Sequence, residues 1–380
     1  MRSLFLLILL LLSFMLYITT FVDDIYNAGK NQIGTITNLG LMSGKNHKAV
    51  KANGFVVGQE SESGDACSGF LWRYELDRAL LCTLSKKEVE KVENFATMLK
   101  GRTPLDTVWK VSEFIDSLEY DWVKANMSNP EIVFWSDGRV EVTEGKENIF
   151  QTPMETIERG KGVCRDFAIL ALSILVNQYK GELYYLHIDF RDSGLKHAAA
   201  AIKIDGEFFV MDQHIPPLDV GSYFEKWKSL DSKVIERITV YPVKVNGTVE
   251  VGNKYIITDF EHHDYEICKD DLLKIQKSIS EKLKEYGLKE DERLKKITSS
   301  YVPSGYVKGH LWKFTFAGYA DFYNPVFHEQ YIGYFFSKMT ESEDFIKSVE
   351  NSKGLWVEVE ESADEIISMK NLEITVYLGS

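Results

Sequence analysis

The chain has 380 residues, enough for two domains that each bury a core of their own. Its 44% apolar and 13% aromatic content excludes a disordered chain. With 57 acidic against 44 basic residues the net charge is −13, and no lysine–arginine run stands out, which argues against nucleic-acid binding.

Ser3 to Val22 is a run of 20 uncharged residues, mostly Leu, Ile and Phe. As a helix rising about 1.5 Å per residue it reaches roughly 30 Å, the thickness of a bilayer core. Arg2 before it and Asp23–Asp24 after it favour an inside N-terminus, with the bulk of the chain outside. A cleaved signal peptide is the rival reading, although Ile18–Val22 offers a poor cleavage site. Residues 1–22 are therefore expected to be a transmembrane signal anchor. The protein would be single-pass in the cell membrane and extracytoplasmic in bulk, or secreted if the segment is cleaved.

Residues 23–84 read as an N-terminal extension to which the sequence assigns no role. Cys67 and Cys82 both lie in it, with Cys164 and Cys268 further on, and no Cys-x-x-Cys occurs. Zinc-ribbon and thioredoxin motifs are thereby excluded, while a Cys67–Cys82 disulfide is permitted outside the cytosol. Asn126-Met-Ser128 and Asn246-Gly-Thr248 are glycosylation sequons.

Ser85-Lys-Lys-Glu88 reads as a capping box opening a helix with Val89, Val92, Phe95 and Leu99 on one stripe. A second helix is expected from about Pro104 to Leu118. Ile132 to Val142 reads as a hairpin turning at Asp137-Gly138, and Leu183 to Phe190 as a short strand. Ile238 to Val245 reads as a strand that Pro242 places at a sheet edge. Cys268 to Tyr286 is an amphipathic helix stopped by Gly287. Trp312–Phe316, Leu355–Val359 and Leu372–Leu378 read as strands. Residues 232–380 are thus expected to form a separate C-terminal α+β domain. Its His262-His263-Asp264 is metal-like in composition, but adjacent histidines point apart on a strand, so a polar loop is expected and no metal site.

The chemistry concentrates around Cys164. Gly160-Lys-Gly-Val-Cys164-Arg-Asp166 is polar and glycine-bearing, and Phe167 to Val176 is almost unbroken aliphatic. A cysteine in the first turn of a buried helix meets unpaired N–H groups and the positive end of the dipole, which favour the thiolate. The two glycines would leave the approach to the sulfur open.

A thiolate nucleophile needs a base and a group to orient it. His197 to Asp212 supplies both around Asp205-Gly206, the strongest short hairpin signal. With those two as the loop, paired positions sum to 411, so Ala199 faces Asp212 and His197 faces His214. Asp212 then lies diagonal to His197, within about 7 Å between β-carbons. Ala198–Ala201 leave room for a closely packed helix, such as the one that Cys164 opens. Together the three make a complete nucleophile, base and orienter.

Residues from about Ser85 to Val220 resemble the transglutaminase-like, papain-related superfamily. The match rests on the two leading helices, Leu118-Glu-Tyr-Asp-Trp122, Gly160–Asp166, the His197 strand and Phe208–Asp212. The resemblance implies a catalytic domain over residues 85–225, with a helix-mounted cysteine packed on an antiparallel sheet. Cys164 would be the nucleophile, His197 the base and Asp212 its orienter, with no cofactor and a peptide or protein substrate. It also implies an oxyanion held by the Cys164 N–H and a second donor, Trp122 or, as a rival, Gln151. The function expected is a cysteine peptidase or amidase. The alternatives are a protein cross-linking acyltransferase and a non-catalytic surface binding protein that keeps the fold.

Overall fold

The computed structural model describes residue 67 and residues 69–136, 140–191, 193–245, 249–251, 254–260, 264–298, 300–363 and 369–380. The expected anchor at 1–22, the Asp137-Gly138 turn, the Asn246 sequon and His262–His263 lie outside the described residues. No described helix is long and apolar enough to cross a membrane.

Helices come first. Leu76–Thr83 is followed by Lys86–Lys91, Glu93–Met98 and Pro104–Asp116. The Pro104 helix is well specified, with proline in its first turn and a reciprocal capping box between Thr103 and Asp106. The box expected at Ser85 does not form. Ser85 stands at the N-cap without a side-chain bond, and Glu88 pairs with Lys91 instead. The single helix expected there is also broken. Val92 N–H turns to Val89 O, a 3₁₀-type bond that divides it, although Val89, Val92 and Ala96 still share one buried stripe.

The central sheet is assembled from distant segments. Two short strands, β1 (Glu119–Tyr120) and β4 (Lys161–Gly162), pair in parallel, and β2 (Glu131–Phe134) and β3 (Val140–Glu144) form the expected hairpin. Then β5 (Glu182–Phe190), β6 (Lys196–Ile204), β7 (Glu207–Met211) and β8 (Leu218–Asp219) run antiparallel. On the other side of β5 lies β9 (Ile235–Val245), which carries β10 (Val249–Val251) and β11 (Tyr255–Ile257) on its outer edge. A domain boundary at 232 therefore cuts through this sheet, because β9 pairs with β5 across eight positions. Pro242 does not make β9 an edge strand. It sits opposite Tyr184, between the stretches that β10 and β11 cover, where the outer ladder is interrupted anyway.

A second sheet, in the order β12 (Lys289–Glu290), β14 (Gly354–Ala363), β15 (Lys370–Gly379) and β13 (Gly309–Phe316), completes the chain together with the helices Lys269–Lys284 and His328–Thr340. The core is continuous across both halves. Trp109 and Phe209 pack on Phe327 with ring centroids 6.2 and 5.3 Å apart, and Trp109 meets Tyr331 at 5.1 Å. The last part of the extension expected to end at residue 84, from Leu71 to Leu84, likewise belongs to the core. Ala79, Leu80 and Leu84 are fully buried in the cluster that surrounds the Cys164 helix, and Cys82 is disulfide-bonded to Cys67.

Candidate active site

Cys164 is the first residue of the helix Cys164–Leu175, which is buried from Asp166 onward. Its cleft is lined by Ser112, Ile115, Ala198, Met211, Asp212 and Gln213, among others. Gly160 takes φ +63 to end the helix Pro153–Arg159, a conformation costly for other residues. Gly162 does not open the approach to the sulfur, as the sequence suggested. It is buried, and a β-carbon there would meet Asp166 Cβ at 3.0 Å and the Phe167 ring at 3.2 Å. Its role is to let β4 lie against the start of the helix.

That start is held by a buried charge pair. Asp166 is fully buried and accepts from Lys124 Nζ at 2.6 Å, the Val163 N–H at 3.0 Å and the Gln151 N–H at 3.0 Å. Lys124 is itself 3% exposed. Arg165 points the other way, donating to the Asn148 and Ile149 carbonyls at 3.1 and 3.3 Å and lying over the Phe150 ring. The Cys-Arg-Asp triplet thus sets the sulfur on a mount fixed from two sides.

The hairpin forms around Asp205 and Gly206, both at positive φ, as a two-residue turn of this kind requires. Pairing follows the sum of 411 from Ile204↔Glu207 to Ala200↔Met211 and stops there. His214 therefore does not face His197. It swings out to Asp116, 2.7 Å away. Asp212 stays, and its two carboxylate oxygens lie 2.9 and 3.0 Å from His197 Nε2. That leaves Nδ1 for the thiol. Ala198 and Ala200 pack in the cluster with the Cys164 helix, while Ala199 and Ala201 belong to the cluster that holds Tyr223, so the small strand admits close neighbours on both sides.

The three groups shift one another's protonation. Burial raises the Cys164 thiol, but the His197 charge and hydrogen bond, with the Ala198 N–H, outweigh it, and the pKa is lowered overall. Burial opposes the imidazolium, yet Asp212 and then Cys164 push His197 up to about 10. Asp212 is buried too, and the His197 charge holds it well below the usual carboxylate range.

Several contributors escaped the sequence reading. The helix Val220–Leu230 brings Tyr223 and Trp227, four residues apart, onto the pair. Tyr223 OH donates to Asp212 Oδ2 at 2.6 Å, and the Trp227 ring meets the His197 ring edge-on at 5.0 Å. The two expected oxyanion donors lie elsewhere than beside the sulfur. Gln151 is fully buried behind the helix start, with its side-chain amide bonded to the Thr156 hydroxyl. Trp122 is 61% exposed and leans on Tyr120, with ring centroids 4.6 Å apart. The residue beside the sulfur is Tyr120, whose hydroxyl interacts with the Cys164 thiol and with its backbone N–H.

A family model described as a transglutaminase-like domain matches residues 90–241. A UPF0252 protein of Archaeoglobus fulgidus is 34% identical over 290 residues, covering 75% of this chain and 85% of that one. The chain belongs to the UPF0252 family and is built around a transglutaminase-like domain. A second relative, the UPF0252 protein PF0978 of Pyrococcus furiosus, is 25% identical over 311 residues, with 80% and 87% of the two chains covered. Among solved structures, Legionella pneumophila LapG (EGTA-treated) aligns at 15% identity over 47% of this chain and 84% of that one, with a TM-score of 0.27. The family match ends within β9, so it takes in most of the strand that the sequence reading had set apart.

Proposed function

We propose that this UPF0252 protein is a thiol-dependent amidase, a cysteine peptidase acting on peptide or peptide-like bonds of a peptide or protein substrate. One observation carries the reading: a single imidazole, His197, serves both the Asp212 carboxylate and the Cys164 thiol. The Cys164 thiolate attacks the carbonyl carbon, forming the S–C bond. His197 then passes its proton to the departing amine as the C–N bond breaks. Water, relieved of a proton by His197, hydrolyses the thioester and restores the thiol.

Iodoacetamide tests the nucleophile. It should modify Cys164 faster than Cys268, and because His197 lowers the thiol's pKa, the rate should stay high below pH 7. A rate that rises only near the ordinary thiol pKa of about 8.5 would make Cys164 an unactivated cysteine and remove the proposal's basis. Turnover should fall on the alkaline side near pH 10, where His197 loses the proton it gives to the leaving group.

The proposed setting is the outer face of a membrane, with residues 1–22 as anchor, supported by their 20-residue uncharged run and its flanking charges. The chain should resist carbonate extraction from membranes while external protease reaches residues 23–380. A soluble mature chain beginning beyond residue 20 would replace the anchor by a cleaved signal peptide.

A further inference from the structure

We propose that the Tyr120 hydroxyl is the second hydrogen-bond donor to the oxyanion formed when the Cys164 thiolate attacks a carbonyl, an inference that rests on the thiol-enzyme reading above. The tetrahedral intermediate places negative charge on one oxygen, and each donor within about 3 Å of it is worth roughly 10²–10³ in rate. By position the first donor is the Cys164 N–H, which is unpaired within its own helix.

Backbone pairing brings Tyr120 to that N–H. Tyr120 is in register with Gly162, two residues before the cysteine. The Glu119 N–H donates to Gly160 O at 3.0 Å and the Asp121 N–H to Gly162 O at 2.8 Å, which ties β1 to the loop on both sides of the tyrosine. The rings of Trp122 and Phe167 flank the phenol at 4.6 and 6.2 Å. In the resting site its oxygen faces the Cys164 N–H and the thiol. A group next to that N–H is within reach of an oxyanion bound to the same N–H. When a substrate carbonyl takes the N–H, the phenol moves aside and turns its O–H toward the same oxygen. Burial, then the neighbouring Cys164, push Tyr120 well above the usual tyrosine range, so it remains a donor at every working pH. Trp122, 61% exposed, lies on the solvent side of that ring pair.

Two reagents on the full-length protein separate this role from others. p-Nitrophenyl acetate acylates the sulfur: the S–C bond forms through an oxyanion, and p-nitrophenolate leaves with the electron pair of the broken C–O bond. Tyr120 only donates a hydrogen bond and keeps its proton. Iodoacetamide alkylates the same sulfur by displacing iodide, and no oxyanion develops. Tyr120→Phe should therefore lower the acylation rate by about 10²–10³ while alkylation is largely preserved. Equal acylation in both proteins overturns the proposal. Losses of the same size with both reagents also overturn it, since Tyr120 would then act on the thiolate. A loss seen in Trp122→Phe and absent from Tyr120→Phe returns the role to the indole. If Tyr120→Phe does not fold by circular dichroism, fluorinated tyrosine at position 120 keeps the shape and sharpens the donor. Acylation should then speed up relative to alkylation, and an unchanged ratio overturns the assignment. A wild-type protein that neither reagent modifies at Cys164 overturns the thiol-enzyme reading, and this proposal with it.

Discussion

Asp212→Asn should leave the fold intact and lower turnover of p-nitrophenyl acetate by about 10⁴-fold, the scale set by the same change in a serine protease triad. The carboxylate accepts from His197 Nε2, the Tyr223 hydroxyl and the Gln213 N–H, the last two at 2.6 and 2.7 Å. An acceptor-only group held this way keeps the proton on Nε2 and stabilises the charged imidazole. An amide in its place can turn an N–H₂ toward Nε2, which moves the proton to Nδ1 and aims it at the sulfur. The thiolate then loses both its counter-charge and its base. Cys164→Ala should abolish turnover with little loss of stability. His214→Ala is the control, because His214 pairs with Asp116 at the surface. An Asp212→Asn protein retaining more than a tenth of the wild-type rate would show that the carboxylate is not the orienter.

Lys124→Met should cost about 3–5 kcal/mol of stability, because it strands the Asp166 charge in the core. The pair is at 2.6 Å, with side-chain exposures of 4% and 0%, so solvent screens it little. Burial pulls the Lys124 pKa down, and the Asp166 charge and hydrogen bond offset only part of that. The measurement is the urea midpoint, compared with that of the double variant Lys124→Met/Asp166→Asn. Removing both charges should recover part of the loss. If Lys124→Met shifts stability by under 1 kcal/mol, the carboxylate is served by the Val163 and Gln151 N–H groups alone.

The pairing of His197 with Asp212 was legible because its signals are local. Asp205-Gly206 specifies a turn, the turn specifies a register, and the register brings His197 near Asp212 with no information from elsewhere in the chain. The Cys164 helix was legible because Phe167 to Leu175 is apolar on nearly every face. His214 was misplaced by extending that register past Met211, where the ladder ends. Tyr120 and Lys124 could not be found in the same way. Lys124 meets Asp166 across 42 residues, and Tyr120 reaches Cys164 through a two-residue parallel pairing with no periodicity of its own. The place of β9 was hidden for the same reason, since its partner β5 lies some fifty residues earlier and nothing in either strand names the other. Tyr223 and Trp227 did leave a trace, an aromatic pair at helical spacing just after Asp212, but core packing explains such a pair equally well.

The shared core has a consequence for how this domain can be handled. A fragment trimmed to the family match, residues 90–241, would lose the Leu76 helix beneath the Cys164 helix, the end of strand β9 from Pro242 to Val245, and Phe327 and Tyr331 from against Trp109. Its exposed apolar surface would invite aggregation, and an inactive fragment would say nothing about the chemistry. The cysteine site is not a portable module. The smallest unit that keeps every wall of the described core runs from the Cys67–Cys82 bridge to the last strand, and grafts, truncations or fusions have to respect both ends.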